Sequence, residues 1–217
     1  MSIDLAQTPT LQAVATGDER VLEKDLQQRV DAAAQQAASR PEVIAAEESE
    51  QEAAEKLARL MRAERALNGH ARQIAVRSAE VREAALDTLI ESAALSEKPD
   101  YKPLTELLVL EHRGRYLSRA LERLVETRLP LARIARLREE SHAAMVRAKA
   151  LEQVACERAE KLLDHLRDAV SEEVVLPVDM SKGVAGSLVA QAAEYRRRAV
   201  AISENADQLE KTYGPRR

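Results

Sequence analysis

Leu107, Leu110, Gly114, Leu117, Leu121, Leu124, Arg128 and Leu131 follow one another at alternating steps of three and four. That rhythm returns to one side of an α-helix every two turns, so the stretch from Leu104 to Leu137 is committed to a helix whose apolar edge needs a second helix against it. The outward positions of the same helix receive Arg115, Arg119 and Arg123. One helix therefore presents an apolar edge and a cationic edge together.

The rhythm recurs twice. Leu57, Leu60, Glu64, Leu67, Ala71, Ile74, Ser78, Val81 and Ala85 carry it with a shallower, alanine-rich edge. Leu188, Ala192, Tyr195, Ala199, Ile202, Ala206, Leu209 and Tyr213 carry it most regularly. The chain has no Phe, no Trp and only four Tyr in 217 residues, so its apolar content fits thin helix-helix seams better than a thick interior. The expectation is an all-α protein, an elongated antiparallel helical bundle or coiled-coil hairpin with about five helices.

Punctuation along the chain sets the expected boundaries. Residues 1–17 hold Pro9 and end in Ala-Thr-Gly without a sustained period, which reads as a flexible N-terminal arm. A long-helix bundle or hairpin spans 18–172. Its first helix starts near Asp18 and runs to about Ser39, and Pro41 suits the first turn of a second, which runs to about Leu95. Asn68-Gly69 lies inside that second helix and reads as a kink or a place of close approach. Two prolines in Lys98-Pro99-Asp100-Tyr101-Lys102-Pro103 mark a chain reversal before the third helix. Pro130 predicts a kink or break between Thr127 and Leu131, after which a fourth helix runs to about Glu172. Residues 173–181 read as an extended connector. Asp179 or Ser181 would then cap a C-terminal coiled-coil-like helix over 182–213, closed by Gly214-Pro215 before a basic Arg216-Arg217 tail.

Charge is distributed in blocks. The net value of -4 conceals eleven acids against five bases from Asp18 to Lys56, and eight arginines against Glu122 and Glu126 alone from His112 to Arg138. The arginine face over 113–138, with Arg196-Arg197-Arg198 as a second patch, could follow a phosphate backbone. Glu111, Glu122, Glu126, Glu139 and Glu140 lie within helical reach of several of these arginines, and no aromatic residues interleave for base stacking. The simpler partner for the arginine face is the acidic first quarter of this chain or of a neighbouring copy.

Catalytic and metal-binding patterns are sparse. Glu139 and His142 form one Glu-x-x-His pair, whereas a di-iron bundle needs two with additional inward carboxylates. His70, His112 and His165 have no ligands at helical spacing and read as surface or seam residues. Cys156, the single cysteine, excludes an intrachain disulfide and points to a reducing compartment. It has no adjacent His or Lys to activate it. Lys182-Gly183-Val184-Ala185-Gly186-Ser187 is the nearest approach to an anion-binding glycine loop, but it reads first as glycines that let the last helix start tightly against its neighbour. Asp4, Asp18 and Glu19 argue against reading Met1 to Arg20 as a secretory signal, and no apolar run reaches the roughly 18 residues of a membrane span.

These readings converge on a cytoplasmic structural or adaptor protein, not an enzyme, without cofactor or metal. It would mediate protein-protein assembly with a partner or as a homo-oligomer through its helical seams. The expected partner interface is the edge containing Leu188, Tyr195, Ile202, Leu209 and Tyr213. The alternative is a nucleic-acid- or polyanion-associated protein that uses Arg115, Arg119 and Arg123.

Overall fold

A computed structural model describes residues 19–169 and 183–214. The arm over 1–17, the connector over 173–181 with its capping residues, Lys182 and the Arg216-Arg217 tail lie outside the described residues. The chain is all-α, and the described residues contain no strand. In order they form α1 (Glu19–Ala38), α2 (Pro41–Leu95), α3 (Lys102–Arg123), a π-helical turn (Leu124–Arg128), α4 (Leu129–Ala169) and α5 (Val184–Tyr213).

The first two expected boundaries coincide with backbone chemistry. Pro41 opens α2, where its missing N–H would have had no helical partner. Just before it, the amides of Ser39 and Arg40 donate to the carbonyls of Gln35 and Ala37, closing α1 within one turn. At the other end of α2, Ser96 takes a left-handed φ of 56°. Its amide donates to Ala93 O and that of Glu97 to Ser92 O, the double closure that usually places glycine where Ser96 stands. Asp100 then accepts from the Lys102 amide at 3.0 Å and starts α3. Helix α2 continues unbroken through Asn68-Gly69.

Pro130 departs from expectation. The helix neither stops nor breaks: a π turn precedes the proline, so α3, the turn and α4 form one continuous helix, and the described chain holds four continuous helices instead of about five. In a regular helix the proline ring would clash with the carbonyl of Glu126, four residues back. The widened turn, in which the Leu129 amide donates to Leu124 O five residues back, accommodates the ring. It also resets the register. Leu124 and Leu129 would stand about 140° apart on an α-helix, yet both are buried in one cluster with Leu57. Arg128 and Leu131, which continue the heptad stripe in the sequence, are exposed as a result, and Leu129 and Pro130 take the buried positions.

Contacts divide the described residues into two units, 19–51 with 137–169 and 183–205, and 52–136 with 206–214. In the first, Ala33 and Ala37 of α1, Val43 of α2, Ala148, Ala150, Leu151, Val154 and Ala155 of α4, and Leu188 and Ala192 of α5 form one buried cluster. Alanines let the helix backbones approach, and Leu188, Val43 and Val154 fill the space left between them. Burial of each such Leu or Val side chain is worth about 1.5–3 kcal/mol. Here α5 runs antiparallel to α4. Arg138 donates to Ser203 Oγ, the Ser141 hydroxyl donates to Ala199 O at 2.8 Å, and the Arg147 guanidinium lies 5.3 Å from the Tyr195 ring centre.

In the second unit α3 returns antiparallel along α2. Leu57 joins Leu124 and Leu129, Ile74 lies nearest to Gly114, and Arg77 reaches Glu106. The α2 edge read from the sequence is the inward one: Leu57, Val81 and Ala85 are buried, and Leu60, Glu64, Leu67, Ala71, Ile74 and Ser78 are half-buried. Along α3 the matching residues Leu107, Leu110, Gly114, Leu117 and Leu121 are all half-buried, and none of the helix is fully buried.

Candidate interaction surface

The α5 edge faces its own chain over much of its length. Leu188 is wholly buried in the core of the first unit, and Tyr195 is half-buried against Arg147. Ile202 and Leu209 are half-buried, and Tyr213 is about half exposed at 49%. The surface open to another molecule therefore excludes Leu188.

The residues with chemical potential are dispersed. Glu139 is half-buried and accepts the Ser49 hydroxyl at 2.9 Å, whereas His142 is exposed. Among the described residues no group of three His, Cys, Asp or Glu side chains is placed to hold a metal ion. Cys156 is exposed in a shallow hollow with Arg40, Lys149 and Glu157. At the start of α5 the Ser187 amide donates to Gly183 O at 3.1 Å, so it is already engaged in the first helical turn.

The arginine face lies on the second unit. Arg115 makes a long contact of 3.8 Å with Glu111. Arg119 and Arg123 are exposed and have no ion pair among the described residues. Among the acids of the first quarter, Glu47 pairs with Arg147 and Glu55 with Arg59. Antiparallel folding then adds a basic stretch that the linear sequence dilutes. From Lys56 to Ala79 the only acid is Glu64, and Arg59, Arg62, Arg65, Arg72 and Arg77 belong to the portion of α2 that runs beside the arginines of α3 and the π turn. Arg62, Arg65, Arg72 and Arg113 also have no ion pair among the described residues. Tyr116 stands in this band, 60% exposed, with His112 edge-on at 4.7 Å. His70, Gln73, Ile74 and Arg113 complete a shallow hollow around it.

Two arginines are held more firmly in the charged form than usual. Hydrogen bonds from Arg77 to Glu80 and then Glu106 raise its pKa. The hydrogen bond to Glu140 does the same for Arg198. Both groups ionise far above ordinary pH, so these contacts act as fixed charges and not as switches.

A second heptad stripe runs along the back of α2. Arg62, Arg65, Gly69, Arg72, Val76, Ala79, Glu83, Leu86, Ile90 and Ala93 alternate steps of three and four, and every one is exposed. Val76 is 62%, Leu86 53% and Ile90 67% exposed, while Leu108 on α3 is 65% exposed. The stripe was legible in the sequence by continuing the heptad count away from the first edge, but the richer inward edge draws attention from it. Glu83, Asp87 and Glu91 at its distal end have no ion pair among the described residues. No helix among the described residues is long and apolar enough to cross a membrane.

Comparisons with protein-family models, with curated proteins and with solved structures return no match for this chain.

Proposed function

We propose that the protein is a structural or adaptor component that assembles with other protein chains through the exposed helical faces of its second unit. The observation that supports this is the set of large apolar side chains left in solvent at helical spacing, Val76, Leu86 and Ile90 on α2 and Leu108 on α3. Scattered single apolar residues are ordinary on a protein surface, but an ordered row of them is the form a helix-binding face takes. The reading requires neither cofactor nor catalytic group. A cytoplasmic setting accords with it, since the lone Cys156 thiol is exposed and a reducing compartment would keep it free.

A photo-crosslinking residue placed at Ile90 or at Leu108 in the full chain, expressed in its native cells, tests the reading. Protein adducts at both positions are expected, with none at a control position such as Ala201. Adducts to nucleic acid alone, or none above the control, would overturn it.

A second reading draws on a separate observation: Arg119 and Arg123 of α3 have no ion pair among the described residues, and the same helix carries exposed Tyr116 with Arg113 beside it. That combination suits a polyanion: the arginines contact phosphates and the ring stacks on a base. Binding of an oligonucleotide that weakens steeply with salt, and is lost on converting Arg115, Arg119 and Arg123 to Glu, is the expected result. Salt-independent or absent binding would remove this reading.

A further inference from the structure

The back stripe of α2 is self-complementary, and we propose that it pairs with the same stripe of a second copy, antiparallel, about a two-fold axis between Val76 and Ala79. This rests on the reading of the protein as an assembly component and names the partner. Its support is the order of residues along the stripe. With the axis at that point Val76 faces Ala79 of the second copy, Arg72 faces Glu83, Gly69 faces Leu86 and Arg65 faces Ile90. An antiparallel two-fold pairing repeats each of these contacts twice.

Charge and space both match. Arg62, Arg65 and Arg72 occupy one end, and Glu83, Asp87 and Glu91 the other, and none of the six has an ion pair among the described residues. Antiparallel pairing brings each basic end onto an acidic end, whereas parallel pairing in register opposes like charges. Gly69 supplies an independent indication. A glycine inside a helix weakens it, and this one has no positive φ and no neighbour within 4 Å of an added Cβ, so packing within the chain does not require it. In the pairing it is the hole that receives Leu86, a side chain otherwise 53% exposed. The stripe faces away from α3, so the hairpin and the pairing use opposite sides of α2.

Sedimentation equilibrium of the full chain, at about 1–100 μM and moderate salt, tests this. The unmodified chain is expected to be a dimer at the upper end. Arg72→Glu and Glu83→Arg are each expected to weaken dimerisation at least about tenfold, because each places two like-charged pairs in the interface. Their equimolar mixture is expected to restore it, since Glu at 72 then meets Arg at 83 and the remaining Arg72 meets Glu83. Circular dichroism is expected to remain unchanged for both, as the positions are exposed. Gly69→Trp is a second probe: open space admits the ring in the single chain, and the hole is lost. An unmodified chain monomeric throughout, or a mixture no more associated than either variant alone, would overturn the pairing. So would a dimer indifferent to all three substitutions. A monomer that binds an oligonucleotide through Arg72 would also overturn it and assign the stripe to the polyanion. A monomer that gives adducts to a different protein at Ile90 in cells would overturn the pairing and leave the assembly reading standing.

Discussion

The two units are made from the same few residue types at the same spacing, yet one closes around its apolar edge and the other does not. In the first, α1 and the start of α2, α4 and α5 surround a shared seam, and ten residues are buried in one cluster. In the second, α3 lies along α2 without a fully buried residue of its own, and Leu86, Ile90, Leu95 and Leu108 stand in solvent. The difference lies in the number of helices meeting at the seam and not in hydrophobicity. Along the α2–α3 hairpin, two helices bury one edge each and expose the flanks. A third or fourth helix covers the flanks, even when most of the covering residues are alanine.

That contrast can be broken most forcefully in the first unit. Leu188→Asp places a charge where the side chain is fully buried, and loss of cooperative unfolding in a thermal melt is expected. The milder Leu188→Ala is expected to cost about 2–5 kcal/mol in denaturant unfolding. Leu117→Ala removes the same atoms from a half-buried site in the second unit, and about 1 kcal/mol or less is expected because water already reaches the position. Equal costs at the two sites would erase the distinction between the units.

Ser96→Gly sharpens the comparison from the other direction. The left-handed φ of 56° strains a serine, so glycine is expected to stabilise the turn between α2 and α3 by about 1 kcal/mol, read from the denaturation midpoint. Gly69→Ala is expected to add about 0.5–1 kcal/mol to the isolated chain through helix propensity alone, since a Cβ there meets nothing. The smallest effect is expected from Glu140→Gln. It loosens an ion pair with Arg198, whose side chain is 61% exposed, and such pairs are worth about 0–1 kcal/mol. The sign of the Arg198 shift sets its pH behaviour. The folded-state pKa is raised, so the arginine's contribution is complete at every pH below its unfolded value and fades only as pH rises through the folded one, far above neutrality. Stability measured across neutral pH should therefore show no step from this arginine.

Much of this fold could be read from spacing. The inward edge of α2, the proline start at Pro41 and the reversal around Pro99 and Pro103 follow from local periodicity and turn chemistry, which a linear sequence carries directly. The π turn did not. Pro130 announces a disturbance, but whether a helix breaks or widens depends on whether Leu124 and Leu129 can share a buried cluster with Leu57, and that is decided by a contact across the hairpin. The basic band escaped for a similar reason. Arg59, Arg62, Arg65, Arg72 and Arg77 look like an ordinary solvated face until antiparallel pairing places their portion of α2 along α3. Leu188 illustrates the reverse case: a regular heptad edge announces that a helix has a partner, without saying that the partner is α4 of the same chain.

Amide hydrogen exchange on dilute protein tests the contrast between the units most directly, because it reads the local free energy of opening segment by segment. Amides over 143–155 in α4 are expected to exchange orders of magnitude more slowly than those over 86–95 and 102–117 in the hairpin. Equal protection in the two units, or slower exchange in the hairpin, would contradict it.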